Sequence, residues 1–359
     1  MIEASDTLVP GSNEAFVVAV TAVGKSADGG RIAYELAVAF ALSGLKAVLL
    51  DGEPAARSAL MATADRRGAW DMGRPVEESL IGLAGNAMLL PGAGRMVEPL
   101  DDEETNAVAS ASEWLETHFD HVVIHVPKGI SHEALQLLKM APYLLLVITP
   151  EPAALTDGFS LLRVLHSSGA RPRIFVLTHE VSSREESAHL YQRFQKLVAG
   201  RLPVYMHHIG FIPLGGLEDP GKVPLIKRDR HSPTGRALGH LALELETIRL
   251  EGVPRGTLSE MWRRLQQGEE PQPQPLIDRR DAEEGEGFAQ RWQQQIEEAW
   301  RRGELSRRDL ERIVERLGTL QAEARLEMAR ANDLERLKRA SLEAAALGRE
   351  KARHKPHDL

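Results

Sequence analysis

Seven short apolar runs constrain this chain most: FVVAV (16–20), KAVLL (46–50), AMLLPG (87–92), HVVIHV (121–126), YLLLVIT (143–149), RIFVLT (173–178) and HHIGFIP (207–213). Each reads as a strand, and most are apolar throughout rather than at alternate positions. Stretches of helical period lie between most of them, at 30–43, 104–117, 156–168 and 184–199. Continuous apolar strands separated by helices indicate a mostly parallel sheet covered on both faces. The expected fold is therefore α/β and doubly wound over residues 15–250, after a flexible stretch at 1–14. Ser183 with Glu186 has the spacing of a capping box at one helix start. A chain of 359 residues that is 43% hydrophobic has room for this domain and an appendage.

The texture changes near residue 251. Residues 251–280 read as a short helix, GTLSEMWRRLQQG, followed by a Pro-broken linker, GEEPQPQP. Thr257 and Glu260 form a capping-box pattern, and Leu258, Met261, Trp262 and Leu265 follow i, i+3, i+4, i+7 spacing. That apolar face suits docking on a protein surface or resting on a membrane. Three turns with two arginines make a weak anchor alone, so docking is favoured. Residues 281–359 read as a helical interaction module, rich in Glu, Arg, Ala, Leu and Gln from 286 to 353. Ser306 with Asp309 could cap a helix carrying Leu310, Ile313, Val314, Leu317 and Leu320. Trp292 and Trp300 suggest that this module buries a surface internally or against a partner.

Composition removes several classes of function. There are no cysteines, hence no disulfides, thiolate metal sites or thiol catalysis. No apolar run approaches the roughly 18 residues of a membrane span, and the N-terminus lacks a basic start and apolar block. A cytoplasmic protein is expected, with peripheral attachment at the inner membrane face or cell pole as a variant. The net charge of −8 disfavours broad nucleic-acid binding, which needs a basic field.

The chemistry-bearing stretch is VVAVTAVGKSADGGRIAYELAVAFALSGLKAVLLDGEP (17–54): a strand, a Gly-bearing turn, a helix and a second strand ending in Asp51. A phosphate loop works through backbone N–H groups at a helix start, glycines for close approach, a lysine for the β/γ charge and a hydroxyl for Mg²⁺. Gly24-Lys25-Ser26 resembles that ending but fails on spacing. The glycine expected five residues earlier is Ala19, inside the strand, and Ala27 to Gly30 separate the tripeptide from the expected helix.

These motifs resemble the MinD/ParA superfamily of deviant-Walker ATPases, particularly MinD-like regulators of flagellar number and placement. That family has KGGVGKT after its first strand and DADP after its second; here DGEP (51–54) keeps the Asp and Pro. FDHVVIHVPKGI (119–130) lies where the family has a strand ending in Asp and a Gly-containing switch. VITPEPAALTDGFSLLRVL (147–165), RIFVLTHEVSSREES, IGFIPLG and SPTGRALGHLALEL (232–245) match later motifs in order, so the resemblance covers roughly 15–250.

The resemblance implies ATP and Mg²⁺ as cofactors, and the departures fall on the residues that would hold them. Aligned without gaps, the leading lysine is Gly24, the loop lysine Gly29 and the Mg²⁺-binding hydroxyl Gly30. Sliding by one recovers Lys25 as the leading lysine but puts Gly30 and Arg31 at the other two positions. The switch aspartate becomes His125, followed by Pro127 and Gly129, and a further family acid corresponds to His132. The adenine-contacting Asn corresponds to Thr178. Asp51, which the family uses to hold metal and position water, survives. Gly24, Lys25, Ser26, Asp28, Gly29, Gly30, Arg31, Asp51 and Thr178 are thus the candidate remnants of a nucleotide site. Phosphoryl transfer depends on positioning and electrostatic stabilisation, so these joint losses imply an inactive ATPase.

Two alternatives remain at this level. An ATP-binding dimerisation switch with membrane association could use Lys25 or Arg31 as its cation. A ParA-type DNA partition factor is disfavoured by the acidic balance. The favoured partner is a protein: an active relative, a flagellar or polar factor, or a second copy of the chain. His125, His132, His207 and His208 lack a recognisable metal-ligand pattern, and adjacent His207 and His208 on a strand face opposite sides. Asp120 beside His121 reads as a turn at a strand start.

Overall fold

The computed structural model describes residues 15–53, 70–217, 223–251 and 257–267. The expected flexible start at 1–14, the linker 268–275 and the helical module with Trp292, Trp300, Ser306, Asp309 and Leu310–Leu320 lie outside them. The chain divides into two compact units, 1–276 and 277–359, and the described residues belong to the first.

Eight strands form one sheet. In chain order the elements are β1 (Phe16–Ala22), α1 (Gly29–Leu42), β2 (Ala47–Asp51), α2 (Val76–Ser79), β3 (Ile81–Gly82), β4 (Met88–Leu90), α3 (Asp102–His118) and β5 (His121–His125). They continue with α4 (His132–Lys139), β6 (Tyr143–Ile148), α5 (Pro152–Ser167), β7 (Arg173–Val181), α6 (Arg184–Ala199) and β8 (Met206–Pro213). The last are α7 (Leu225–Arg228), α8 (Pro233–Glu251) and α9 (Leu258–Gln266). The strand order is β3-β4-β2-β5-β1-β6-β7-β8, parallel except for the β3–β4 edge pair. All seven expected strands are present. The two-residue β3 is additional, too short to leave a periodic signal.

Alternation within the buried strands sorts their side chains into two layers. Val17 and Ala19 of β1 join a core with Leu115, Leu161 and Phe194 from α3, α5 and α6. Phe16, Val18, Val20 and Ala22 point the other way, into a core with Leu36 and Phe40 of α1 and Leu241 and Leu245 of α8. This is why β1 reads as a continuous apolar run: both faces are covered.

Helix starts follow local chemistry. Asp101 and Glu104 form a complete capping box on α3, as Thr257 and Glu260 do on α9. At α6 the expected box is shifted. Ser183 Oγ accepts from the Glu186 N–H at 3.1 Å, but the Glu186 carboxylate accepts from the Ser182 N–H and hydroxyl. Helix α1 begins at Gly29 with Asp28 as its N-cap. Only Ala27 and Asp28 therefore separate Ser26 from the helix, fewer than the sequence suggests, because the Asp28 carboxylate satisfies the first turn.

β1 sits between β5 and β6, so the chain winds outward from it in both directions. In such sheets ligand sites lie beyond the carboxyl ends of the strands at the point of reversal. The β1–α1 loop, Asp51, His125 and Thr149 all fall at that edge.

Candidate functional site

Register brings the first two groups together. Asp51 ends β2 and His125 ends β5, and they are paired neighbours in the sheet, with Val20 of β1 next in the row. His125 Nδ1 lies 2.8 Å from Asp51 Oδ1, and both residues are buried. A carboxylate only accepts, so Nδ1 carries the proton and donates to it. Asp51 Oδ1 also accepts from the Glu53 N–H at 3.1 Å.

The other edge of the His125 ring faces the start of α1. A Cβ built on Gly30 would stand 3.0 Å from His125 Cε1 and 3.2 Å from Nε2. The imidazole thus occupies the space that a side chain at position 30 would need. Gly30→Thr is expected to cost about 1–3 kcal/mol through overpacking. A double-mutant cycle with His125→Ala, read by urea unfolding, should recover on the order of 1 kcal/mol of that as coupling. Additive effects would mean that the ring does not fill this space.

The loop between β1 and α1 is held from two sides. Glu151, at the β6–α5 junction, accepts from the Lys25 N–H at 2.9 Å, the Ser26 N–H at 3.1 Å and the Ser26 hydroxyl at 2.5 Å. These bonds, the Ser26 hydroxyl foremost, hold its carboxyl below the usual range. From the turn after β5, Lys128 Nζ donates to the carbonyls of Gly24 and Lys25, each at 3.2 Å. Gly24 has φ +96, and a Cβ there would come 2.5 Å from Thr149 Oγ1, so the position requires glycine on both counts.

Asp28 Oδ1 accepts from the Arg31 N–H at 2.9 Å. The Arg31 guanidinium is buried and pairs with fully buried Glu35 at 2.7 Å. Glu35 also accepts from the N–H groups of Leu225 and Ile226, at 2.9 and 3.1 Å. Arg31 is thus engaged in α1–α7 packing. Gly29 is buried against Ala22 of β1. Pro127 is half-buried, and Gly129 is exposed with φ +109. His132 is exposed and contacts Gln136 at 3.2 Å, on α4 rather than with His125.

Thr178 is fully buried in a polar chain. Its hydroxyl lies 2.7 Å from Ser187 Oγ, which lies 3.1 Å from His208 Nε2. His208 stacks on Tyr191, and burial drives its pKa down to about 4. His207 packs edge-on against Phe175 on the opposite face. His121 stacks on Phe40 and lies 2.8 Å from Glu246, while Asp120 accepts from the Lys46 N–H. Among the described residues no group of three or more His, Cys, Asp or Glu is arranged to hold a metal ion.

Helix α9 lies on α3. Leu258 and Trp262 are buried and Met261 and Leu265 half-buried, with the Trp262 indole N–H donating to Met96 O at 3.0 Å. Glu116 of α3 accepts from the Ser259 N–H and hydroxyl at 2.6 and 2.8 Å. Burial pushes its carboxyl up despite those bonds. Among the described residues no helix is long and apolar enough to cross a membrane.

Glu151, Lys128 and His179 were not among the sequence candidates. Their sequence signals are slight: a Glu before a helix-opening Pro, a Lys in a turn and a His near a strand end. Buried His179 is lowered in pKa by desolvation and feels Glu180, Asp28 and Lys128. What joins them to the loop is the sheet order, which sets β5 and β6 on either side of β1 and β7 next beyond β6.

No protein-family model matches the chain. It is 25% identical over 266 residues to the antiactivator FleN of Pseudomonas aeruginosa, covering 70% of this chain and 93% of FleN. It is 23% identical over 158 residues to the flagellum site-determining protein YlxH of Helicobacter pylori, 41% of this chain and about half (51%) of YlxH. Among solved structures, a chain of the MinC:MinD cell division protein complex of Aquifex aeolicus superimposes with a TM-score of 0.52 at 20% identity, covering 67% of this chain and 98% of that one. The fold is MinD-like, and the sequence similarity is to an antiactivator and to a flagellum site-determining protein.

Proposed function

We propose that this chain regulates flagellar number or placement by binding proteins, and that it does so without hydrolysing ATP. The similarity to FleN and YlxH supports the flagellar setting. The observation that carries the catalytic half is the His125–Asp51 contact at 2.8 Å, with glycine at position 30. By the resemblance, the residues aligned with Asp51 and Gly30 would hold a metal ion.

The residues present do not fit Mg²⁺ with ATP. The Asp51 carboxylate accepts from His125, the facing position on α1 offers no hydroxyl, and the imidazole packs against it. The Lys25 and Ser26 amides are taken by Glu151, and Arg31 is paired with Glu35. A cycle of ATP-driven pairing and hydrolytic release needs that metal-bound phosphate. On this reading the domain presents one persistent surface to its partner, an active relative or a flagellar or polar factor. The burial of Leu258 and Trp262 supports docking of α9 over membrane attachment.

The test is made in cells lacking the protein. Asp51→Asn keeps an oxygen for His125 but removes the charge that a metal would need. It should restore flagellar number as fully as the unaltered chain. A stable, abundant Asp51→Asn protein that fails to do so would overturn the proposal.

A further inference from the structure

We infer that Glu151 is an autoinhibitory internal ligand of the β1–α1 loop. Its carboxylate sits on the loop's anion-binding donors and excludes external phosphate-bearing anions. The inference rests on reading residues 23–28 as the remnant of a phosphate loop, but not on the loss of hydrolysis.

The geometry is that of a bound anion. One carboxylate oxygen accepts from the Lys25 N–H at 2.9 Å, and the other from the Ser26 N–H and hydroxyl. Consecutive amides and a hydroxyl converging ahead of a 14-residue helix form an arrangement that recognises oxyanions. Glu151 is the N-cap residue of α5, yet its side chain makes no capping bond to that helix. A carboxylate at an N-cap would ordinarily take its own helix's N–H groups. Here it is turned across to another element.

Two independent observations show that the loop is shaped around internal groups. Lys128 donates to the carbonyls of Gly24 and Lys25, so donors and acceptors of the same tripeptide are held from two different segments, the β6–α5 junction and the turn after β5. Beneath the loop, Thr149 Oγ1 is fully buried and has no hydrogen-bond partner among the described residues. It lies against Gly24, two residues before Glu151 in sequence. A buried hydroxyl without a partner is costly, and it marks this corner as polar space. An external anion reaching the same amides must first displace Glu151, breaking three hydrogen bonds to a charged group. Withdrawing the β6–α5 junction would free them together.

The experiment uses the full chain without nucleotide. Amide exchange at Lys25 and Ser26 is followed by NMR, and inorganic pyrophosphate binding is measured by calorimetry, in the unaltered chain, Glu151→Ala and Glu151→Gln. Glu151→Ala should exchange both amides about tenfold faster and bind pyrophosphate at least about tenfold tighter than the unaltered chain. Glu151→Gln keeps the shape without the charge and should fall between them; it also serves if the alanine variant folds poorly. Equal exchange rates in all three proteins, or pyrophosphate binding insensitive to residue 151, would overturn the inference. Neither readout involves hydrolysis, so this inference and the proposed function can fail separately.

Discussion

Glu35→Ala is expected to lower the unfolding free energy by about 3–5 kcal/mol, among the largest losses from one substitution in this domain. Glu35 is fully buried, pairs with the Arg31 guanidinium at 2.7 Å and accepts from the N–H groups of Leu225 and Ile226. Truncation strands a buried cation and two backbone donors at once. Urea unfolding should show a lower midpoint with an unchanged slope. Replacing the pair together, with Arg31→Met and Glu35→Leu, should be much milder, since no charge is left unpaired. A Glu35→Ala protein as stable as the parent would show that Arg31 has another way to be satisfied. It would then return to consideration as a cation for the loop.

Trp262→Ala should cost a similar amount, about 3–5 kcal/mol. The indole is buried in the same core as Met96, Val97 and Leu115, and its N–H satisfies the Met96 carbonyl. Truncation leaves a cavity between α9 and α3 and an unpaired carbonyl beneath it. The loss should appear as a cooperative drop in melting temperature of the whole domain. A variant that melts with the parent would mean that α9 rests loosely. Its apolar face would then be available for a membrane surface, which is the alternative that the helix spacing leaves open.

How much of this was readable beforehand differs by element. Most strands were legible because they are buried on both faces and apolar at nearly every position, as in Tyr143–Ile148. Helices α1, α3, α5 and α6 were legible from their period. The eight-residue α4, opened by Ser131, was not, because two turns are too short to leave a clear period. The Thr257–Glu260 box was legible because both partners lie within one turn. The site was legible only as a set of departures. That His125 meets Asp51 depends on β2 and β5 being neighbours, 74 residues apart in sequence. That Glu151 reaches Ser26 depends on β6 lying beside β1, across 125 residues. Arg31 is the clearest case of local reasoning falling short. A basic residue in the first turn suggests an anion from outside, whereas Glu35, one turn later and itself held by the α7 N–H groups, claims it.

The account turns on whether the site still cleaves ATP. The direct measurement is inorganic phosphate release from the purified full chain with excess Mg²⁺ and ATP, beside Asp51→Asn. The account predicts that the two proteins release phosphate at the same rate as buffer alone. Release by the unaltered chain that disappears in Asp51→Asn would contradict it.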